Sequence, residues 1–181
     1  MLQGQNHDEA TIFSITGVNT DEDFFAQVRE RTEDNTTVHQ IAKLYPDIPA
    51  LGIPSTLEGR PSASLGSQYK RISAFVTDVM WHAPRRLTSH ILTEHNVPNW
   101  GYMFNVRPNG SPLSSGAAHF TEVAFMFNNI LRIGYPESPF ANTPQSHKDV
   151  SDLMSRYWVN FIVDGDPNGA DGTFPTSIPG S

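Results

Sequence analysis

The feature that most constrains how this chain folds is the run Trp100-Gly101-Tyr102-Met103-Phe104-Asn105-Val106, bounded by Pro98 and by Pro108-Asn109-Gly110. Aromatic and β-branched residues between turn-forming flanks predict a strand. Its nearly continuous apolar character suits a sheet covered on both faces rather than a half-exposed hairpin. Helical patterns precede it and a histidine-bearing loop follows, an order that implies an α/β architecture. With 181 residues, 38% hydrophobic and 17% charged, the chain has enough apolar surface for the core of one domain.

Residues 1–5 read as a further strand that runs at once into the polar cluster Asn6-His7-Asp8-Glu9. Acids delivered so early read as a domain cut upstream. Ala10-Thr11-Ile12-Phe13-Ser14-Ile15 continues as a short helix or strand, and Thr20-Asp21-Glu22-Asp23 supplies a cap and early acids for a helix through Phe24, Phe25 and Val28. Val38, Ile41, Ala42 and Leu44 give helical spacing over residues 37–44, stopped by Pro46. Residues 46–65, rich in proline, glycine and serine, form a surface loop. Over residues 67–95, Tyr69, Ile72, Phe75, Val76, Val79 and Met80 recur at three- and four-residue steps, and Leu87, Ile91 and Leu92 resume after Pro84. This predicts two helices, or one bent at Ala83-Pro84. Beyond the strand come a short helix over 122–127, an irregular stretch over 131–143 and an amphipathic helix over 146–163. Its inward face is Val150, Leu153, Met154, Tyr157, Trp158, Phe161 and Ile162. Asp164-Gly165-Asp166-Pro167-Asn168-Gly169 ends it, so the domain spans 1–170 and an irregular tail 171–181.

A formal charge of -7, with no Lys/Arg cluster interleaved with aromatics, argues against a nucleic-acid partner. No apolar run reaches membrane-spanning length, and the first residues lack the pattern of a signal peptide. The chain holds no cysteine, which excludes disulfides, a thiol nucleophile and thiolate metal sites within it. Asn35-Thr36-Thr37 and Asn109-Gly110-Ser111 match the glycosylation triplet, which matters only in a secreted chain. His82, His90 and His95 share a segment but not the four-residue step of a zinc helix, so no metal site is expected. No glycine loop suited to phosphate is present, and no cofactor is expected. Asp78 reads as an ion-paired or capping residue near the bend, with Arg85 and Arg86 solvated.

Two loops carry the chemistry. Asp8-Glu9 follows the first strand, and His119 lies 110 residues after Glu9, in Ser114-Ser115-Gly116-Ala117-Ala118-His119 beyond the second. In a parallel sheet both loops open at the same strand ends. A carboxylate bonded to one ring nitrogen fixes the tautomer, freeing the other to take a proton from a hydroxyl nucleophile. Nucleophile, acid, histidine is the chain order of one triad arrangement, but no Gly-x-Ser-x-Gly occurs here and no glycine cluster offers oxyanion donors. On spacing alone the ordinary reading is favoured, with Glu9 a terminal surface acid and His119 a loop residue.

With these residues in hand, the chain resembles the carboxyl-terminal part of the type-B carboxylesterase and cholinesterase-like lipase family, particularly its fungal members. Gly4-Gln5-Asn6-His7-Asp8-Glu9-Ala10-Thr11-Ile12-Phe13 looks like the family's acid loop, Phe75-Val76-Thr77-Asp78 with Ala83-Pro84-Arg85 and the strand over 100–106 follow in order, and Gly116-Ala117-Ala118-His119-Phe120-Thr121-Glu122 looks like its histidine loop. Met154-Ser155-Arg156-Tyr157-Trp158-Val159-Asn160-Phe161 with Gly165-Asp166-Pro167-Asn168 resembles its penultimate helix and turn. The resemblance implies a partial α/β-hydrolase fold, with few strands and several helices, in which Glu9 is the triad acid and His119 the base. It implies a carboxylic ester hydrolase acting on small-molecule or lipid esters, often exported, whose serine and oxyanion glycines precede the residues present here. The isolated chain is then expected to be inactive and to need the amino-terminal part of the domain. A non-catalytic truncated remnant, or a protein-interaction module of the same fold, is the alternative. Phe120 and Ala10 stand where many members have glycine.

Overall fold

β1 (Leu2–Asn6) and β2 (Trp100–Phe104) pair in parallel, with Leu2 opposite Trp100 and Asn6 opposite Phe104, so two segments nearly a hundred residues apart end side by side. The structure is a computed structural model that describes residues 1–13 and 15–169; Ser14, the domain end at 170 and the tail over 171–181 lie outside the described residues. A parallel pair needs a long crossover, and here it is helical. A 3-10 turn (Glu9–Phe13) leads from β1 to α1 (Asp21–Arg29), α2 (Asn35–Leu44) and, past a short 3-10 turn (Pro49–Leu51), α3 (Tyr69–Thr77) and α4 (Ala83–Glu94). After β2 come α5 (Val123–Met126) and the long α6 (Gln145–Asp164).

Local chemistry explains most boundaries. Thr20 and Asp23 form a reciprocal capping box that satisfies the first free amides of α1, as the Thr-Asp-Glu-Asp run predicts. Asp34 caps α2 by accepting from the amides of Thr36 and Thr37, which starts that helix two residues earlier than its apolar spacing implies. The expected bend comes ahead of Pro84 as a π turn (Asp78–His82) joining α3 to α4. Proline sits where its missing N–H matters least, in the first turn of α4. Gly165, in left-handed conformation, terminates α6.

The apolar residues divide into two clusters. Val18, Phe24, Val28, Val38, Ile72 and Phe75 fill the space among α1, α2 and α3, and Arg71 ties the three together. Its guanidinium lies 3.8 Å over the Phe24 ring, 2.6 Å from Asp21 and within bonding distance of the Tyr45 carbonyl. That contact holds the Asp21 carboxyl below the usual carboxylate range. Phe104, Ala117, Ala124, Phe125, Phe140 and Met154 form the second cluster between β2, α5 and α6.

Three sequence expectations are corrected. The second strand ends at Phe104 and alternates: Gly101 and Met103 are exposed while Phe104 is buried, because the cluster with α5 and α6 packs on the Tyr102 and Phe104 face. Ile162 is 75% exposed at the end of α6, where the helix runs past its packing partners. Arg85 is half-buried rather than solvated: its guanidinium lies over Gly101, where a Cβ would come within 2.6 Å of Nη1.

Phe125 is wholly buried, with ring centroids 4.9 Å from Phe104 and 4.7 Å from Phe140. Urea denaturation of Phe125→Ala should show a loss of about 3–5 kcal/mol, whereas Ile162→Ala should stay within about 0.5 kcal/mol of the parent.

Candidate active site

The ladder between β1 and β2 continues one step beyond the strands. The amide of His7 donates to the carbonyl of Phe104 at 2.8 Å, and then Asp8 and Ala117 bond reciprocally, amide to carbonyl at 3.0 Å and amide to carboxylate at 2.8 Å. The acid loop is thereby stitched to the histidine loop. Gly116 permits this approach: its φ is +58°, and a Cβ there would lie 2.1 Å from Oδ2 of Asp8. The Asp8 carboxylate is also 2.7 Å from Nδ1 of His7, so its two oxygens are taken up within the loops. From the other side, Thr77 Oγ1 accepts from the amide of Ala10, and the Tyr69 hydroxyl lies 3.0 Å and 2.9 Å from the carbonyls of Thr11 and Ser114.

Glu9 emerges from this frame nearly buried, its side chain 5% exposed, while the ring of His119 is 42% exposed. Oε1 of Glu9 accepts from the amide of Asn6 at 2.7 Å, and Oε2 lies 2.6 Å from Nδ1 of His119. The carboxylate therefore accepts at both oxygens, which selects the Nδ1–H tautomer of His119 and leaves Nε2 with a lone pair. Two residues 110 positions apart meet as the parallel-sheet reasoning expects.

Asn6, Phe13, Trp81 and His82 also belong to the surroundings of this pair, and sequence reasoning missed all four. The side-chain amide of buried Asn6 donates to the carbonyl of Ala118 at 2.7 Å and to the carboxylate of Glu122, which fixes the histidine loop to the end of β1. Phe13 and Trp81 stack at 5.7 Å, and their ring centroids lie 5.3 Å and 5.8 Å from that of His119. An open cleft of about 700 Å³ adjoins His119 on the side of Phe120, Ile133, Tyr135 and Pro139. The three histidines of the 82–95 segment do not converge: His82 bonds Asp78 at 2.9 Å and His90 pairs with Glu94 at 3.2 Å. Among the described residues no three metal-ligating side chains come together, and no helix is long and apolar enough to cross a membrane.

The carboxylesterase family model matches residues 1–178. This chain belongs to the carboxylesterase family. It is similar to Secreted lipase 4 of Gibberella zeae, 26% identical over 166 residues that cover 90% of this chain and 26% of the lipase. It is also similar to the bile salt-activated lipase of Homo sapiens, 31% identical over 113 residues, 59% of this chain and 14% of that protein. Among solved structures, Aspergillus niger EstA superposes with a TM-score of 0.67 at 15% identity, covering 92% of this chain and 30% of the esterase. The carboxylesterase fold is thus present as part of an α/β-hydrolase, and the chain spans less than a third of the length of each of these relatives.

The residue after His119 is held in an unusual backbone conformation. Phe120 adopts φ +74° and is 64% exposed. A bulky residue in the left-handed region costs about 1–2 kcal/mol. Thermal melts should therefore show Phe120→Gly stabilised by about 1 kcal/mol, and Gly116→Ala destabilised by at least about 1 kcal/mol, since the added methyl meets the Asp8 carboxylate.

Proposed function

We propose that this chain supplies the acid and the base of a carboxylic ester hydrolase whose serine nucleophile and oxyanion donors come from sequence outside these 181 residues. The observation that carries the reading is the 2.6 Å contact between Oε2 of Glu9 and Nδ1 of His119, with the acid buried and the imidazole open. Family membership supports the reaction class.

In this mechanism Nε2 of His119 takes the proton of the serine hydroxyl as the oxygen attacks the ester carbonyl. Glu9 holds the ring in its productive tautomer and stabilises the imidazolium that forms. His119 then returns the proton to the departing alkoxide, and a water repeats the sequence to release the acid. The apolar rings of Phe13 and Trp81 beside the imidazole, with the adjoining cleft, suit an ester whose acyl or alcohol part is apolar. The substrate class is a small-molecule or lipid carboxylic ester, and no metal or cofactor enters the steps.

A fluorophosphonate probe separates the outcomes. The isolated 181-residue chain should remain unlabelled, and a longer protein carrying a Gly-x-Ser-x-Gly turn upstream of Met1 should label and hydrolyse short-chain esters. In that protein His119→Ala and Glu9→Gln should each lower kcat by about 10⁴-fold or more with KM little changed. Labelling of the isolated chain, or full activity in either variant, overturns the assignment.

A further inference from the structure

The π turn between α3 and α4 places one further imidazole against the acid loop. An extra residue in a helical turn redirects the side chains that follow it. Here it brings His82, whose side chain is 15% exposed, up to the end of β1. Nδ1 of His82 lies 2.9 Å from Oδ1 of Asp78, and Nε2 lies 3.2 Å from the carbonyl oxygen of Asn6. Both partners are acceptors. A neutral imidazole has one N–H and satisfies only one of them, setting a lone pair against the other; the imidazolium donates to both.

The charged and titratable groups around His82 favour that cation. Asp78, on the same helical run, takes the hydroxyl of Tyr45 from α2 at 2.7 Å on its other oxygen and feels the charge of Arg86. The charge of Glu9, in the turn after β1, also acts on His82. The hydrogen bond to Asp78 is the largest influence raising the His82 pKa above 6.5, ahead of the Asn6 carbonyl and the charges of Asp78 and Glu9. Burial opposes these.

The carbonyl that His82 holds belongs to Asn6, whose own amide bonds Oε1 of Glu9 and whose side chain bonds the histidine loop. We propose that His82 is a positioning residue of this site, a doubly donating imidazolium clamped by Asp78 that fixes the Asn6 carbonyl and, through it, the turn that aims Glu9 at His119. The inference rests on reading Glu9 and His119 as the acid–base pair. His82 touches neither substrate nor reacting atoms and acts through Asn6. Because its folded pKa is raised, its contribution to stability is complete below the unfolded value and is lost as pH rises through the folded one.

Long-range proton–nitrogen NMR of the ¹⁵N-labelled chain tests this without any nucleophile. At pH 6 both ring nitrogens of His82 should carry protons, and its midpoint should lie above 6.5. A neutral ring at pH 6 in a single tautomer overturns the proposal. The amides of Asn6 and Glu9 and the Nδ1 proton of His119 should show a titration step at the His82 midpoint. Asp78→Asn should move that midpoint down, and His82→Gln, which keeps one donor for the Asn6 carbonyl, should abolish the step. A step that persists in His82→Gln, or one that ignores the midpoint, also overturns it. Failure of the longer protein to label with fluorophosphonate would instead remove the esterase reading and leave these titrations unchanged.

Discussion

Backbone pairing between β1 and β2 is the interaction on which the remainder of the structure depends. Parallel strands emit their following loops at the same edge, so the five-residue register from Leu2–Trp100 to Asn6–Phe104 brings the Asp8-Glu9 turn and the 114–119 loop together before any side chain acts. The His7–Phe104 and Asp8–Ala117 bonds extend that register into the loops. Slippage by a single residue would turn every side chain of β1 to the opposite face and carry Glu9 away from His119. The long crossover through four helices is the structural requirement of this arrangement.

Within the loops the two carboxylates are sorted by their backbone surroundings. Asp8 is consumed by the amide of Ala117 and the ring of His7, and Glu9 is left to face His119. The carboxylate is buried while the imidazole stays open, so the two groups of the pair meet different surroundings. The carboxylate is shielded from water that would compete for its oxygens, and the imidazole stays in reach of a third partner. Thr77 and Tyr69 brace the loop from α3, so its position does not rely on the strands alone.

Much of this is legible in the residues because the signals are local. The Thr20 cap, the aromatic strand after Pro98, the bend near Pro84 and the glycine stop at 165 each rest on steric or hydrogen-bonding preferences within a few positions, and each is present. The Glu9–His119 meeting is legible at one remove, through the rule that parallel strands place their loops at one edge. Asn6, Trp81 and His82 are not. Their importance comes from contacts tens of positions away in sequence, and a tryptophan and a histidine on a helical run look the same whether they face a site or a core. The exposed face of β2 escapes the sequence pattern because apolar composition reports what a strand tolerates, and Met103 stays half-exposed.

The two apolar clusters share no residue: one is gripped by Arg71 among α1, α2 and α3, and the other lies under α6. The seam between them is polar and is made of the same short bonds that set Glu9 against His119. Such a joint can part while each half keeps its packing, since a few hydrogen bonds between loops open at lower free energy than interlocked rings. Warming would then part Glu9 from His119 some degrees before helical content declines, so loss of that contact and loss of ellipticity would trace separate curves.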